Sequence, residues 1–159
     1  MRMVGCALIA CQSFQTASGE GTSKGLAIKL VAEVEVRSSH EGQESVRLVP
    51  ADRLVPGDPV IYTLQIRNVS TLAIPAPTVT TPIPAHTAYV AESATGPGAE
   101  VSYSVDGGHS FDVPENLRVS EAGHVRPAAP EDYTHIRWKM KNTLQPRSTA
   151  FARFRAIVK

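Results

Sequence analysis

Cysteine is nearly absent from this chain of 159 residues, and both cysteines, Cys6 and Cys11, fall within its first eleven positions. The body therefore has no disulfide framework and no cysteine-based metal site. Charge of one sign is also missing. Sixteen basic and fifteen acidic side chains leave a formal net charge of +1, too little for a broad field toward nucleic acid or an anionic membrane. No apolar run approaches the roughly 20 residues of a membrane-spanning helix. No window of helical length carries a convincing 3.6-residue period. The five histidines, His40, His86, His109, His124 and His135, show neither H-x-x-x-H nor H-x-H spacing, so no zinc motif exists. A G-x-S-x-G elbow, a Walker-type loop and a dinucleotide glycine loop are all lacking. No metal or cofactor is expected, and no enzymatic activity.

The N-terminus reads as an address. Met1 to Ala10 places one arginine before a short apolar run, Met3 to Ala10, as in a secretory signal peptide. Gln12 to Gly25 is rich in Ser, Gly, Thr and Gln and reads as a flexible linker. Two processing routes fit. Leu8-Ile9-Ala10-Cys11 looks like a bacterial lipobox, which makes Cys11 a candidate for lipidation. Gln15-Thr16-Ala17 is an alternative end to a cleaved signal. The expectation is an exported protein of the periplasm or cell surface, with residues 1–25 as signal and linker and residues 26–159 as a single domain.

From Leu26 onward the pattern is period two. Leu26, Ile28, Leu30, Ala32, Val34 and Val36 take the even positions of one long strand, which a turn at Ser38–Gly42 is expected to end. Val46 to Val49 forms the next short strand. Pro56-Gly57-Asp58 is a turn, because proline presets φ and glycine takes the positive φ that follows. Val60, Tyr62, Leu64 and Ile66 mark a third strand. Asn68 ends it by bonding its own backbone. Prolines 75, 77, 82 and 84 around Val79 confine that segment to a sheet edge. Further short strands are expected at Tyr89-Val90, Val101–Val105 and Leu117–Val119. Two more alternating runs complete the chain, Ile136–Met140 and Ala152–Val158. Trp138, the only tryptophan, falls on an inward position and is the best central core residue, with Tyr62 and Phe154 as neighbours. Eight or nine short strands with frequent turns predict an all-β fold, an immunoglobulin-like antiparallel β-sandwich. The cations Arg137, Lys139 and Lys141, with Arg153, Arg155 and Lys159, would share one outer face if the last two strands pair. A solvated face is the first reading of that stripe, and contact with an anionic envelope polysaccharide the second.

Ser104-Val-Asp106-Gly-Gly108-His-Ser110-Phe111 matches the Asp-box spacing, S-x-D-x-G-x-S-F, and resembles the hairpins of sialidase propellers. Its mechanics are local. Asp106 accepts backbone hydrogen bonds across the turn, Gly108 permits positive φ and the aromatic packs beneath. The structural role is favoured over a carbohydrate-active one, since this length cannot hold the blades of a propeller.

Four blocks in order carry a family resemblance: Val55–Asn68, Val79–Pro84 with Tyr89-Val90, Tyr103–Phe111, and Tyr133–Trp138. Over residues 44–159 the chain resembles the conserved-repeat family called domain of unknown function 11, in particular its short exported bacterial members. The sequence departs from that pattern in carrying Ser70 where a glycine commonly follows the asparagine, and in having one copy. The resemblance implies an immunoglobulin-like module of the bacterial envelope, and the sandwich pattern, the export signal and the lack of a catalytic constellation point to a non-enzymatic role that binds, spaces or supports another envelope protein or polysaccharide. A lipid-anchored ligand-binding lipoprotein is the alternative. No nucleic acid and no transmembrane span are expected.

Overall fold

A computed structural model describes residues 25–40 and 43–159. The signal, Cys11 and residues 12–24 of the linker lie outside the described residues. The described residues are all-β, with ten strands and two single-turn 3-10 segments. The strands are β1 (Leu26–His40), β2 (Gln43–Pro50), β3 (Pro59–Asn68), β4 (Thr78–Pro82), β5 (Thr87–Tyr89), β6 (Ala99–Ser104), β7 (Arg118–Glu121), β8 (His124–Pro127), β9 (His135–Met140) and β10 (Thr149–Val158). All pairings are antiparallel. One sheet has the order β2-β1-β3-β10-β5, the second β4-β9-β6, and β7-β8 is a separate hairpin.

The two main sheets share one core. Inward residues of β3 (Val60, Tyr62, Leu64, Ile66) and β10 (Ala152, Phe154, Ala156) meet those of β9 (Ile136, Trp138, Met140). Alternation of apolar and polar side chains at period two turns these faces toward each other, and removing them from water drives the sheets together. Trp138 and Phe154 are fully buried, with ring centroids 6.2 Å apart across the two sheets. Tyr62 stacks on Phe154 at 5.0 Å.

Proline decides the edge of the small sheet. β4 pairs only with β9, as a segment flanked by Pro75, Pro77, Pro82 and Pro84 must, because a ring nitrogen cannot donate to a second neighbour.

The expected turn at Ser38–Gly42 is shorter. Ser38, Ser39 and His40 continue β1 and pair with Ser45, Glu44 and Gln43. A hydroxyl pair across the ribbon, Ser38 Oγ to Ser45 Oγ at 2.7 Å, holds serines that composition alone assigns to a turn. The buried face of β1 also fades along its length. Leu26 is buried, Ile28, Leu30 and Ala32 are partly buried, and Val36 is exposed. The reason is that β3 accompanies β1 only as far as Glu33, beyond which β1 pairs with β2 alone.

The cation stripe expected from β9 and β10 does not form. β9 lies in the small sheet and β10 in the large one, so their outward side chains point to opposite sides of the core.

Candidate functional site

The polar side chains that motif reading singles out gather at the end of β6. Ser104 is completely buried there and Asp106 is exposed. The Asp106 carboxylate accepts from the Ser104 hydroxyl at 2.7 Å, from the His109 backbone N–H at 3.1 Å, and from the Ser110 N–H and hydroxyl at 3.0 and 2.6 Å. Gly108 N–H donates to Ser104 Oγ at 2.9 Å. Gly107 and Gly108 stand at φ +77° and +89°, where an L side chain is strained. The returning arm is held to β6 by one bridge, Tyr103 to Asp112, rather than by a continuous strand. Hydrogen bonds from Ser104 and Ser110 hold the Asp106 carboxyl well below the usual carboxylate range. A carboxylate so engaged stays ionised.

Thr134 and His135 back this loop. Thr134 Oγ1 accepts from Gly107 N–H at 3.1 Å and donates to the Ser104 carbonyl at 3.1 Å. The same oxygen lies 3.2 Å from His135 Nδ1, and the imidazole tautomer sets which of the two donates. The ring lies against Gly108, where an added Cβ would come within 3.3 Å of it. Burial pushes the His135 imidazole below its ordinary value, His109 adds to that push and Asp106 opposes it. Phe111 is half-buried, with the Arg137 guanidinium 3.6 Å from its ring centroid.

The other motif residues lie elsewhere. Pro56 and Gly57 are the central pair of a turn closed by Asp58 N–H to the Val55 carbonyl at 3.1 Å, and Gly57 has φ +96°. This is type II geometry, and Asp58 also accepts the Val55 N–H at 2.9 Å. The turn is fastened to the end of β10 through Gly57 N–H to the Val158 carbonyl at 2.8 Å. Asn68 is completely buried. Its amide donates to the Leu72 and Leu144 carbonyls at 2.8 and 3.0 Å, and its oxygen accepts from Ser70 N–H and Ser70 Oγ. Ser70 is thus part of the same knot. Trp138 Nε1 is buried without a hydrogen-bond partner.

Two clusters carry no short-range signal in the sequence. Tyr89, Tyr103 and Tyr133 form an aromatic group with centroids 4.7–5.8 Å apart, and the Tyr89 and Tyr103 hydroxyls meet at 2.8 Å. Burial pushes the Tyr103 phenol well above its ordinary value, reinforced by that hydrogen bond. Arg126 grips Asp132 through both guanidinium nitrogens at 2.6 and 3.0 Å and reaches Glu121 at 3.0 Å. That grip pins the β7-β8 hairpin to the segment ahead of β9.

Among the described residues no group of His, Cys, Asp and Glu is arranged to hold a metal. The dent lined by Glu35, Pro59, Val60, Ile61 and Arg155 measures about 30 Å³, too small for an organic ligand. No helix of the described residues is long and apolar enough to cross a membrane. The geometry defines an antiparallel all-β module whose polar residues tie its loops. No protein-family model, no curated protein and no solved structure matches this chain.

Proposed function

We propose that the chain is an exported, non-enzymatic module of the bacterial envelope, an immunoglobulin-like sandwich of the conserved-repeat type known as domain of unknown function 11, which binds or spaces another envelope component. One observation supports it above the rest. The polar side chains on which a catalytic reading would draw, Asp106 and Thr134, are committed to fastening the hairpin. The apolar N-terminus followed by a Ser/Gly-rich stretch supports export.

Intact-mass measurement of the chain recovered from a fractionated bacterial host tests this reading. A membrane-free envelope fraction beginning after Ala17 is the expected result. A lipid-modified N-terminal Cys11 in the membrane fraction would identify the lipoprotein form of the same module. Full-length chain retained in the cytoplasm overturns the proposal.

A further inference from the structure

The large sheet has an outward face, and its register fixes which side chains share it. Lys29, Gln65 and Phe151 occupy one cross-strand row. Arg67 lies in the row on one side, opposite Thr149, and Arg153 in the row on the other, opposite Thr63. Phe151 is 47% exposed and is the only aromatic among the exposed large hydrophobics of the described residues. It stands in mid-strand rather than in a loop. Lys29, Arg67 and Arg153 are exposed. Among the described residues none of the three enters an ion pair or donates a side-chain hydrogen bond to the protein.

Some cations elsewhere are engaged, while others, such as Arg37, Arg147 and Lys139, enter no ion pair among the described residues. Arg155 pairs with Glu35 at 2.7 Å, Lys141 with Glu100 at 3.3 Å, and Arg137 covers Phe111. The acids on the large sheet's outer face begin one row beyond Arg153: Glu33 accepts the hydroxyl of Thr63, the residue opposite Arg153, and Glu35 holds Arg155. The rows of Phe151 and Arg67 carry no acid, so positive charge gathers around the one open ring. Strand and residue spacings put the three cationic Cα atoms roughly 8–14 Å apart.

We propose that this face binds an anionic polysaccharide. Phe151 lies under the C–H face of a sugar ring, Gln65 offers an amide donor and acceptor to its hydroxyls, and Lys29, Arg67 and Arg153 take carboxylate or phosphate groups along the polymer. The inference rests on the envelope-module reading and names the class of its partner. A protein partner fits less well. One ring set among polar side chains lacks the contiguous apolar centre of a protein interface. Duplex nucleic acid fits poorly too, because a formal charge of +1 supplies no long-range attraction.

The test is affinity electrophoresis of the purified full-length chain through gels holding alginate, a polyuronate, with dextran as the neutral control and poly-glutamate as the acidic-polypeptide control. The wild type is retarded by alginate and not by dextran. R67Q/R153Q weakens alginate binding about tenfold or more, and K29Q weakens it less. F151S weakens it about three- to tenfold with an unchanged salt dependence, because only the stacking is lost. K139Q, on the outer face of the small sheet, binds as the wild type. All these positions are exposed, and equal thermal midpoints establish that the variants fold. No alginate retardation of the wild type overturns the proposal. So does an F151S variant that binds normally, an equal loss in K139Q, or poly-glutamate binding as tight as alginate. Such a failure is distinct from failure of the envelope reading, which N-terminal processing decides by itself.

Discussion

The buried amide of Asn68 donates to the carbonyl of Leu144, 76 residues away in the chain, at 3.0 Å. The same amide holds the Leu72 carbonyl, so one side chain joins the end of β3 to its own following loop and to the connection between β9 and β10. That connection is where the chain crosses from the small sheet to the large one. Replacing Asn68 with alanine strips the Ser70 N–H of its acceptor and leaves the Leu144 and Leu72 carbonyls with one partner each, the Ile74 N–H and the Ser70 hydroxyl. A loss of about 2–3 kcal/mol in unfolding free energy is expected by chemical denaturation. Asn68→Asp should be worse at neutral pH, because it turns carboxylate oxygens toward two carbonyls. An N68A protein as stable as the wild type would remove Asn68 from this role.

Stability should fall as acid is added below about pH 4, where unfolded carboxylates begin to bind protons. The folded-state values of Asp106, Asp112 and Asp132 are all depressed by hydrogen bonds. A depressed folded value means that the stabilisation is present above the unfolded pKa and is lost as pH drops toward the folded one. Thermal midpoints measured from pH 7 to pH 2 should therefore decline, and D106N should be less stable at pH 7 with a shallower decline. Parallel curves for D106N and wild type would contradict the assignment.

His135 offers a second titration. Burial lowers its folded value, so neutral imidazole is favoured and the associated stability is lost as pH falls below about 6.5. A proton-carbon NMR titration should place its midpoint below that of a free histidine. Asp106 raises this value against the burial, so D106N should move the midpoint further down. An upward movement would mean that the carboxylate does not sense the ring.

Gly57 isolates backbone strain from packing. Nothing lies within 4 Å of the Cβ that a substitution there would add, yet φ is +96°. G57A should cost about 1–2 kcal/mol from conformation alone. Asn at the same position should recover part of that loss. Equal stability of G57A and wild type would argue for a different turn.

Gly96 isolates packing from strain. Its added Cβ would sit 3.1 Å from Trp138 Cδ1, with Ala99 and Ala152 close behind. G96A should displace the indole and destabilise by about 1–3 kcal/mol. Trp138 is the only tryptophan, so the displacement is visible as a shift of intrinsic fluorescence. An unchanged emission spectrum would show that the ring is not confined by that contact.

Local chemistry was the legible part of this molecule. Proline before glycine announces the turn at Pro56-Gly57, because each residue restricts its own φ. Ser104, Asp106 and Ser110 announce a self-bonded loop, because their short side chains reach only nearby backbone. Period two reveals the inward faces of β3, β9 and β10, since side chains of a strand alternate between two environments. Ile61 and Thr63 escape that rule. They lie on the outer face of β3 yet are buried, Thr63 donating its hydroxyl to Glu33 and Ile61 flanked in register by Glu33 and Arg155. The strand expected at Leu117–Val119 overlaps β7, but its hairpin partner β8 escaped, because Ala122 at φ +50° precedes Gly123 where an asparagine or aspartate would have marked the turn.

Restrictions acting within a few residues set an antiparallel all-β chain, the places of its tight turns and the inward Trp138. Which strands are neighbours was settled by long-range packing. It sent β10 across to the sheet opposite β9, which broke one stripe of cations and assembled another around Phe151. It also brought Tyr89 to Tyr103 and Asn68 to Leu144. Pairing between distant segments is chosen by the burial of whole faces against one another, and no local pattern encodes that choice.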